Sequence, residues 1–329
     1  VRLRRAWGAG ILAGAVVAAA APALAADVVR LGDNYTLSSA PLFVAIEKGY
    51  LKDQGIDLVA ERFAAAAKMN SALAGGELDV GIGTPSAGHF NAVAQGFDIK
   101  IVADKGQFRP GYAYTKLMAR KDLVDAGTIR GPRDLKGRRV AAFAKGIIQD
   151  YEVGKILEQE GLAYRDVEMA YMAPPTIIQA LAAKALDAAM LVEPWVAKAV
   201  GDGLAVPVAD MERVPALRSH QAAFIIYAGK FIRERRPVAQ RFMNAYLRGI
   251  EYVGKRGWQD DDLVDILVRY TKVEKPLVKR AVPPYIDADG RPDVPSLARF
   301  QDWLHEQGFV PEKVPMEKVV DLSFLPPAR

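Results

Sequence analysis

The sequence predicts an α/β protein made of two similar lobes. Three observations carry this. Short apolar runs alternate with helical patterns between residues 28 and 104. The alternation restarts after a charged, Gly- and Pro-bearing stretch at 120–138. A nine-residue pattern occurs once in each run.

In chain order, 28–31 reads as a strand and 33–39 as a polar loop. A helix is expected at 40–48, with Ser38 or Ser39 as N-cap, Pro41 in its first turn and Gly49 as its stop. Strands follow at 56–62, 80–83 and 99–104, and helices at 66–74 and 86–95. This makes a mostly parallel sheet covered by helices. The second run offers strands at 139–143, 167–171 and 188–191, helices at 148–160 and 176–184, and a helix start near Glu193-Pro194-Trp195. The recurring pattern aligns 72–80 (Ala-Leu-Ala-Gly-Gly-Glu-Leu-Asp-Val) with 180–188 (Ala-Leu-Ala-Ala-Lys-Ala-Leu-Asp-Ala). A strand at 221–227 and helices at 237–254, 260–270 and 299–307 complete the chain. Crossings near 112–120 and 217–227 predict a hinge of two strands. The expected parts are 26–115 for the start of lobe 1, 116–221 for lobe 2, and 222–329 for the return to lobe 1 with the C-terminal helices.

Length and composition fit this: 329 residues, 51% hydrophobic and 25% charged, suit two globular domains. Residues 1–25 read as an export signal that is cleaved. Arg2, Arg4 and Arg5 precede an apolar stretch at 6–21, and Pro22 leads into Ala23-Leu24-Ala25, whose small residues suit signal peptidase. The Arg4-Arg5 pair leaves the general secretory and twin-arginine routes both open. The formal charge of +5 comes largely from this segment. Without its three arginines, 41 of the 44 bases face 39 acids. A near-neutral body gives no electrostatic footprint for nucleic acid. The chain has no cysteine, which excludes disulfides, zinc–thiolate sites, thiol nucleophiles and a lipid-anchored cysteine. The mature chain is expected free in a periplasm.

Catalytic patterns are missing. His89, His220 and His305 are far apart, without the spacing of a metal site, and read as surface or satisfied core residues. No Gly-x-Ser-x-Gly, His-Glu-x-x-His or Walker pattern occurs, and Gly81-Ile82-Gly83 lacks the third glycine of a dinucleotide fingerprint. What recurs is a strand ending in a small or polar loop that opens a helix. In open α/β sheets such loops line the ligand cleft, where helix starts point free N–H groups at the ligand. The candidate ligand-binding residues are therefore Tyr35, Ser38, Ser39, Ala66, Thr84, Ser86, Lys145, Gln149, Thr176, Glu193 and Trp195.

The run Pro41-Leu42-Phe43-Val44-Ala45-Ile46-Glu47-Lys48-Gly49-Tyr50-Leu51, then Gln54-Gly55-Ile56-Asp57-Leu58, resembles the opening of the nitrate/sulfonate/taurine-type substrate-binding proteins of ABC importers. These belong with the thiamine-pyrimidine-precursor-binding-like superfamily. Further matches are 72–80, Asp134-Leu135-Lys136-Gly137-Arg138-Arg139-Val140, 180–189 with Glu193-Pro194, and Phe231, Pro237 and Phe242. The resemblance spans nearly the whole mature chain. It implies a type II periplasmic-binding fold: two Rossmann-like lobes joined by a two-strand hinge around a ligand cleft, closing on the ligand. It also implies a monomer without cofactor or enzymatic activity, partnered by a permease and an ATPase in the inner membrane.

Two departures bear on the ligand. Many relatives carry Gly-Ser where this chain has Lys145-Gly146, so Lys145 replaces a hydroxyl–backbone nest with a point charge. Residues 64–67 are all alanine. With Tyr35, Phe143 and Trp195 in or near the loops (Phe143 expected in the core), the cleft suits an organic ligand with an apolar body. An organic acid, sulfonate or aromatic carboxylate is expected. A thiamine-precursor pyrimidine stacked between Tyr35 and Trp195 is the alternative. A receptor that serves a sensor kinase would share the fold. Pyrimidine synthases of this fold use a cysteine-rich motif that this chain lacks.

Overall fold

In the computed structural model of the chain, residues 26–63 and 66–327 are described, the side chains of Ala66 and Ala67 excepted. The expected export signal at 1–25 and the alanines 64–65 lie outside the described residues. The first run comprises β1 (Asp27–Asp33), α1 (Ala40–Glu47), α2 (Tyr50–Asp53), β2 (Ile56–Arg62), α3 (Ala66–Gly75), β3 (Val80–Gly83), α4 (Ala87–Ala94) and β4 (Ile99–Phe108). The second comprises β5 (Thr115–Arg120), α5 (Lys121–Asp125), β6 (Arg139–Ala142), α6 (Ile148–Gln159), β7 (Glu168–Tyr171), α7 (Pro174–Ala182), β8 (Ala188–Val192), α8 (Trp195–Gly201) and β9 (Ala205–Pro207). The chain then returns through β10 (His220–Ala228), α9 (Gly229–Glu234), α10 (Arg236–Arg256), α11 (Asp261–Thr271), α12 (Lys275–Arg280), α13 (Val294–Glu306) and α14 (Met316–Val319).

There are two five-stranded sheets, one per lobe, ordered β2-β1-β3-β10-β4 and β7-β6-β8-β5-β9. Four strands of each sheet run the same way, as expected, and one in each, β10 or β5, is reversed. β1 runs parallel to β2 and β3, and β6 to β7 and β8. β10 is antiparallel to β3 and β4, and β5 to β8 and β9. The crossings explain this. A strand arriving from the other lobe enters at the carboxyl edge and must run back into the sheet. Both arrivals, β5 and β10, take the fourth place.

The sequence repeat has a structural job. Asp79 and Asp187 end the two copies. Asp79 accepts the Arg30 backbone N–H at 2.9 Å, and Asp187 accepts that of Arg139 at 3.0 Å. In return, the Asp79 N–H donates to the Arg30 carbonyl and that of Asp187 to the Arg139 carbonyl. Each carboxylate thus ties the turn before β3 or β8 to the neighbouring strand. Gly76 takes the left-handed conformation after α3, and Lys184 takes it after α7.

The chain passes between lobes at 109–114 and 208–219, ahead of the strands β5 and β10. A third segment runs beside these crossings without crossing itself. Tyr285 pairs with Gln107 through two backbone bonds of 2.8 and 3.1 Å, using the free edge of β4. The C-terminal helix α13 packs against both lobes. Phe300 meets Phe90 of α4 and Tyr151 of α6, and the buried Trp303 fills the space left by Gly154. Among the described residues no helix is long and apolar enough to cross a membrane.

Candidate functional site

The carboxyl edges of the two sheets face each other, and their loops meet. The N–H of Ala87 donates to the Gly146 carbonyl at 2.7 Å, and the N–H of Ile148 to the Pro85 carbonyl at 3.1 Å. Ser86 and Ile147 form the bridge between them. Ala87 and Ile148 are the first residues of α4 and α6. The first N–H groups of a helix have no partner inside it. Here each lobe supplies a carbonyl to the other lobe's helix.

Four of the expected residues fall into two clusters. The first lies at the end of β1. Ser39 sits at the N-cap position of α1 but does not cap it; its hydroxyl donates to Asp33 Oδ1 at 3.1 Å. The Ser38 and Thr36 hydroxyls are 2.9 Å apart, and Lys105 Nζ donates to Thr36 Oγ1 at 3.2 Å. Lys105 is only 1% exposed. Burial pushes its ammonium down to about 8, against the opposing charge of Asp33. Burial also raises the Asp33 carboxyl, with Lys105 the largest influence the other way. Asp33 Oδ2 and Asn34 Oδ1 have no partner among the described residues. The second cluster lies at the end of β3. Thr84 and Ser86 line a cavity of about 10 Å³, room for about one water, with Asn70, His89 and Phe224. Ser86 Oγ caps α4 by accepting the His89 N–H at 3.2 Å.

The remaining expected residues sit elsewhere. Tyr35 stacks on Phe43 and Tyr270 at 5.8 and 6.4 Å, with Arg62 over its ring. Gln149 is buried and spent at both ends: Oε1 accepts the Phe143 N–H and Nε2 donates to the Met190 carbonyl. Glu193 accepts the N–H groups of Ala197, in α8, and of Val282, and burial raises its carboxyl. Lys145 is exposed and lies over the Phe309 ring. Thr176 is exposed in the first turn of α7, and Trp195 is half-buried at the start of α8. The Ala66 side chain lies outside the description. Phe143, expected in the core, is 42% exposed, because β6 ends one residue before it.

Sequence reasoning missed Asp33, Lys105 and His89. Asp104 and Lys105 stand inside β4 (Ile99–Phe108), where a charged pair reads as the end of an apolar run. The three histidines divide. His305 is exposed, while His220 is buried and satisfied by Glu152 at 2.8 Å and the Leu217 carbonyl at 3.0 Å. Glu152 also accepts the Thr115 hydroxyl, which ties α6 to the two crossing strands. His89 is buried and unsatisfied, contrary to expectation. Among the described residues no group of His, Asp and Glu is arranged to hold a metal. The arrangement offers hydrogen bonds and one buried cation, which suits holding a molecule.

Asp104 stands behind the site, at the hinge. It accepts N–H bonds from Gly106, Gln221 and Asp287, yet burial pushes its carboxyl up to about 7. The folded chain therefore keeps this proton where the unfolded chain, with a carboxyl near 4, has released it. The Asp104 contribution to stability is full below about pH 4 and is lost as pH rises through about 7. Between pH 5 and 8, wild type should lose more stability than Asp104→Asn in chemical denaturation. Equal losses would mean that Asp104 titrates normally.

Two α/β lobes with facing carboxyl edges and reversed crossing strands define the two-lobed periplasmic-binding class of fold. The family described as NMT1/THI5 like matches residues 36–256, and the chain belongs to it. No curated protein sequence matches the chain. Among solved structures, the alkanesulfonate-binding protein SsuA of Xanthomonas axonopodis pv. citri is similar at TM-score 0.71 and 21% identity. That match covers 89% of this chain and 98% of SsuA. The periplasmic nitrate-binding protein NrtA of Synechocystis PCC 6803 gives 0.73 and 14%, over 91% and 87%. The desulfurization enzyme DSZB gives 0.61 and 15%, over 91% and 97%. At these identities the likeness is one of fold.

Proposed function

We propose that the chain is the solute-binding component of an ABC importer, exported to the periplasm by a cleaved signal at 1–25. It captures a small organic molecule by closure of its lobes and presents it to a membrane permease and ATPase. The parts are 26–115 and 222–329 for lobe 1 and 116–221 for lobe 2, acting as a monomer without catalysis. The observation that carries this reading is the mutual contact of the two helix starts, Ala87 to Gly146 and Ile148 to Pro85. It joins the lobes at the edge where open sheets bind ligands. Sulfonate- and nitrate-binding proteins among the similar structures support it. A solute touching both lobes favours the closed form by its differential affinity.

The solute class fits an organic acid, sulfonate or aromatic carboxylate. Lys105 and the hydroxyls of Thr36 and Ser38 supply polar contacts at the end of β1. A thermal-shift panel of alkanesulfonates, aromatic carboxylates, a thiamine-precursor pyrimidine, nitrate and bicarbonate tests it. Stabilisation by an organic member is expected; stabilisation by nitrate or bicarbonate alone would overturn it. Trp195→Ala should weaken binding of the stabilising compound at least several-fold in calorimetry, as loss of an aromatic contact does. Unchanged affinity would remove Trp195 from the site.

A further inference from the structure

Lobe 1 anchors α13 at both ends. At its start Asp293 caps the helix, the Asp293 N–H donates to Gln221 Oε1 at 2.7 Å, and the Gln221 N–H donates to Ser296 Oγ at 2.8 Å. Beyond its end the chain returns to β4, where the Asp321 N–H donates to the Ile101 carbonyl at 2.9 Å. Between these anchors the helix reaches across to lobe 2. Trp303, fully buried, lies on α6 at Gly154, with the rings of Tyr151 and Tyr164 edge-on to it at 5.7 and 5.3 Å. Its indole N–H donates to Glu158 at 3.3 Å.

The two attachments differ in kind. To lobe 1, α13 is held by the continuous chain and by backbone hydrogen bonds. To lobe 2 it is held by side chains alone: the indole, Phe300 on Tyr151, and Phe309 on Tyr164. When the cleft opens, α13 therefore stays with lobe 1 and parts from α6. Parting exposes a large aromatic ring to water, which opposes it. Gly154 makes the seat for that ring. A Cβ there would lie 2.6 Å from Trp303 Cζ2 and 3.0 Å from Cε2. The ring is rigid and enclosed, so it cannot swing aside. Glycine weakens a helix interior relative to alanine; in α6 it admits the indole.

We propose that Trp303 is a clamp on lobe closure: seated on Gly154, it holds lobe 2 to lobe 1, and opening lifts it off. The proposal rests on the solute-binding reading and adds to it the group that resists opening. Part of the stability of the closed form then comes from the protein itself, so a solute needs less differential affinity to populate it.

The chain has no cysteine, so Glu61→Cys on β2 and Gln179→Cys on α7, both exposed, place one spin label on each lobe. Label-to-label distances would be measured by electron spin resonance on the solute-free mature chain. Gly154→Ala should shift the distribution to longer distances, lowering the ratio of closed to open form about tenfold or more, as overpacking does. Far-UV circular dichroism should not change, because alanine favours α6. Trp303→Leu, which empties the seat without crowding it, should also lengthen the distance, and adding Gly154→Ala to it should lengthen it no further. Wild-type distances in either single variant would overturn the proposal, as would additive opening in the double variant. No solute is used, so failure here leaves the importer reading to its own thermal-shift panel.

Discussion

Ala87→Pro is expected to leave helix α4 folded and to drive the lobes apart. Ala87 is the first residue of α4, where proline is favoured because its missing N–H has no partner within the helix. The preceding Ser86 is extended (φ −154°, ψ 151°), as a residue before proline requires. The one bond lost is therefore the 2.7 Å bond to the Gly146 carbonyl of lobe 2. A typical hydrogen bond contributes about 1 kcal/mol. The pyrrolidine ring also occupies the space where that carbonyl sits. Together these should reduce the closed population about tenfold or more, with a matching loss of solute affinity. Small-angle scattering would read a larger radius of gyration, and far-UV circular dichroism an unchanged helix content. Ala87→Ser keeps the N–H and serves as control. An unchanged radius of gyration would show that this contact does not hold the lobes together.

Gly249→Ala should destabilise the chain by about 3 kcal/mol, at the top of the usual range for overpacking. In an exposed helix, Gly→Ala stabilises by about 1 kcal/mol. Position 249 reverses that sign because α10 crosses α1 backbone to backbone there. A Cβ would press into the carbonyl oxygen of Pro41 and stand 2.8 Å from its carbon. Neither is a flexible side-chain end that swings aside, so α10 must lift off α1. Gly254, five residues further along the same helix, has nothing within 4 Å of a Cβ. Gly254→Ala should therefore gain about 1 kcal/mol. Denaturant unfolding of the two variants would show opposite shifts. Shifts of the same sign would mean that helix propensity, not the crossing, governs both sites.

The fold was largely legible because its grammar is local. Pro41 and Gly49 bracket α1, Ser86 caps α4, and the repeated Asp79 and Asp187 mark equivalent turns. The reversal of β5 and β10 was not legible, since strand direction depends on where the chain enters a sheet. β5 falls within the hinge strand expected near 112–120, but Lys116 and Arg120 interrupt its apolar pattern and hide its place inside a sheet, and β9 is only three residues long. The helix α13 begins at Val294 because Asp293 caps it and Pro295 sits in its first turn. The helix expected at 299–307 starts later and leaves out this capped end. The site divides the same way. Loop hydroxyls such as Ser38, Ser39, Thr84 and Ser86 announce themselves at helix starts. The burial of Lys105 and His89 is set by strands and helices brought in from elsewhere, so no neighbouring residue signals it.

The fourth-place position of β10 also orders events in time. β4 pairs with β10 and with no other strand of its sheet, so residues 99–108 must wait for residues 220–228. The whole of sheet β7-β6-β8-β5-β9 lies between them and is continuous in the chain. A chain emerging N-terminus first therefore finishes its second lobe before its first. Pairing of strands so far apart in sequence is slow, because the intervening loop must be closed before the contact repays it. The early lobe stays incomplete, with the β3 and β4 edges open, until more than two-thirds of the polypeptide is available. Under the export proposed above, such a delay keeps the chain threadable while it is still being delivered.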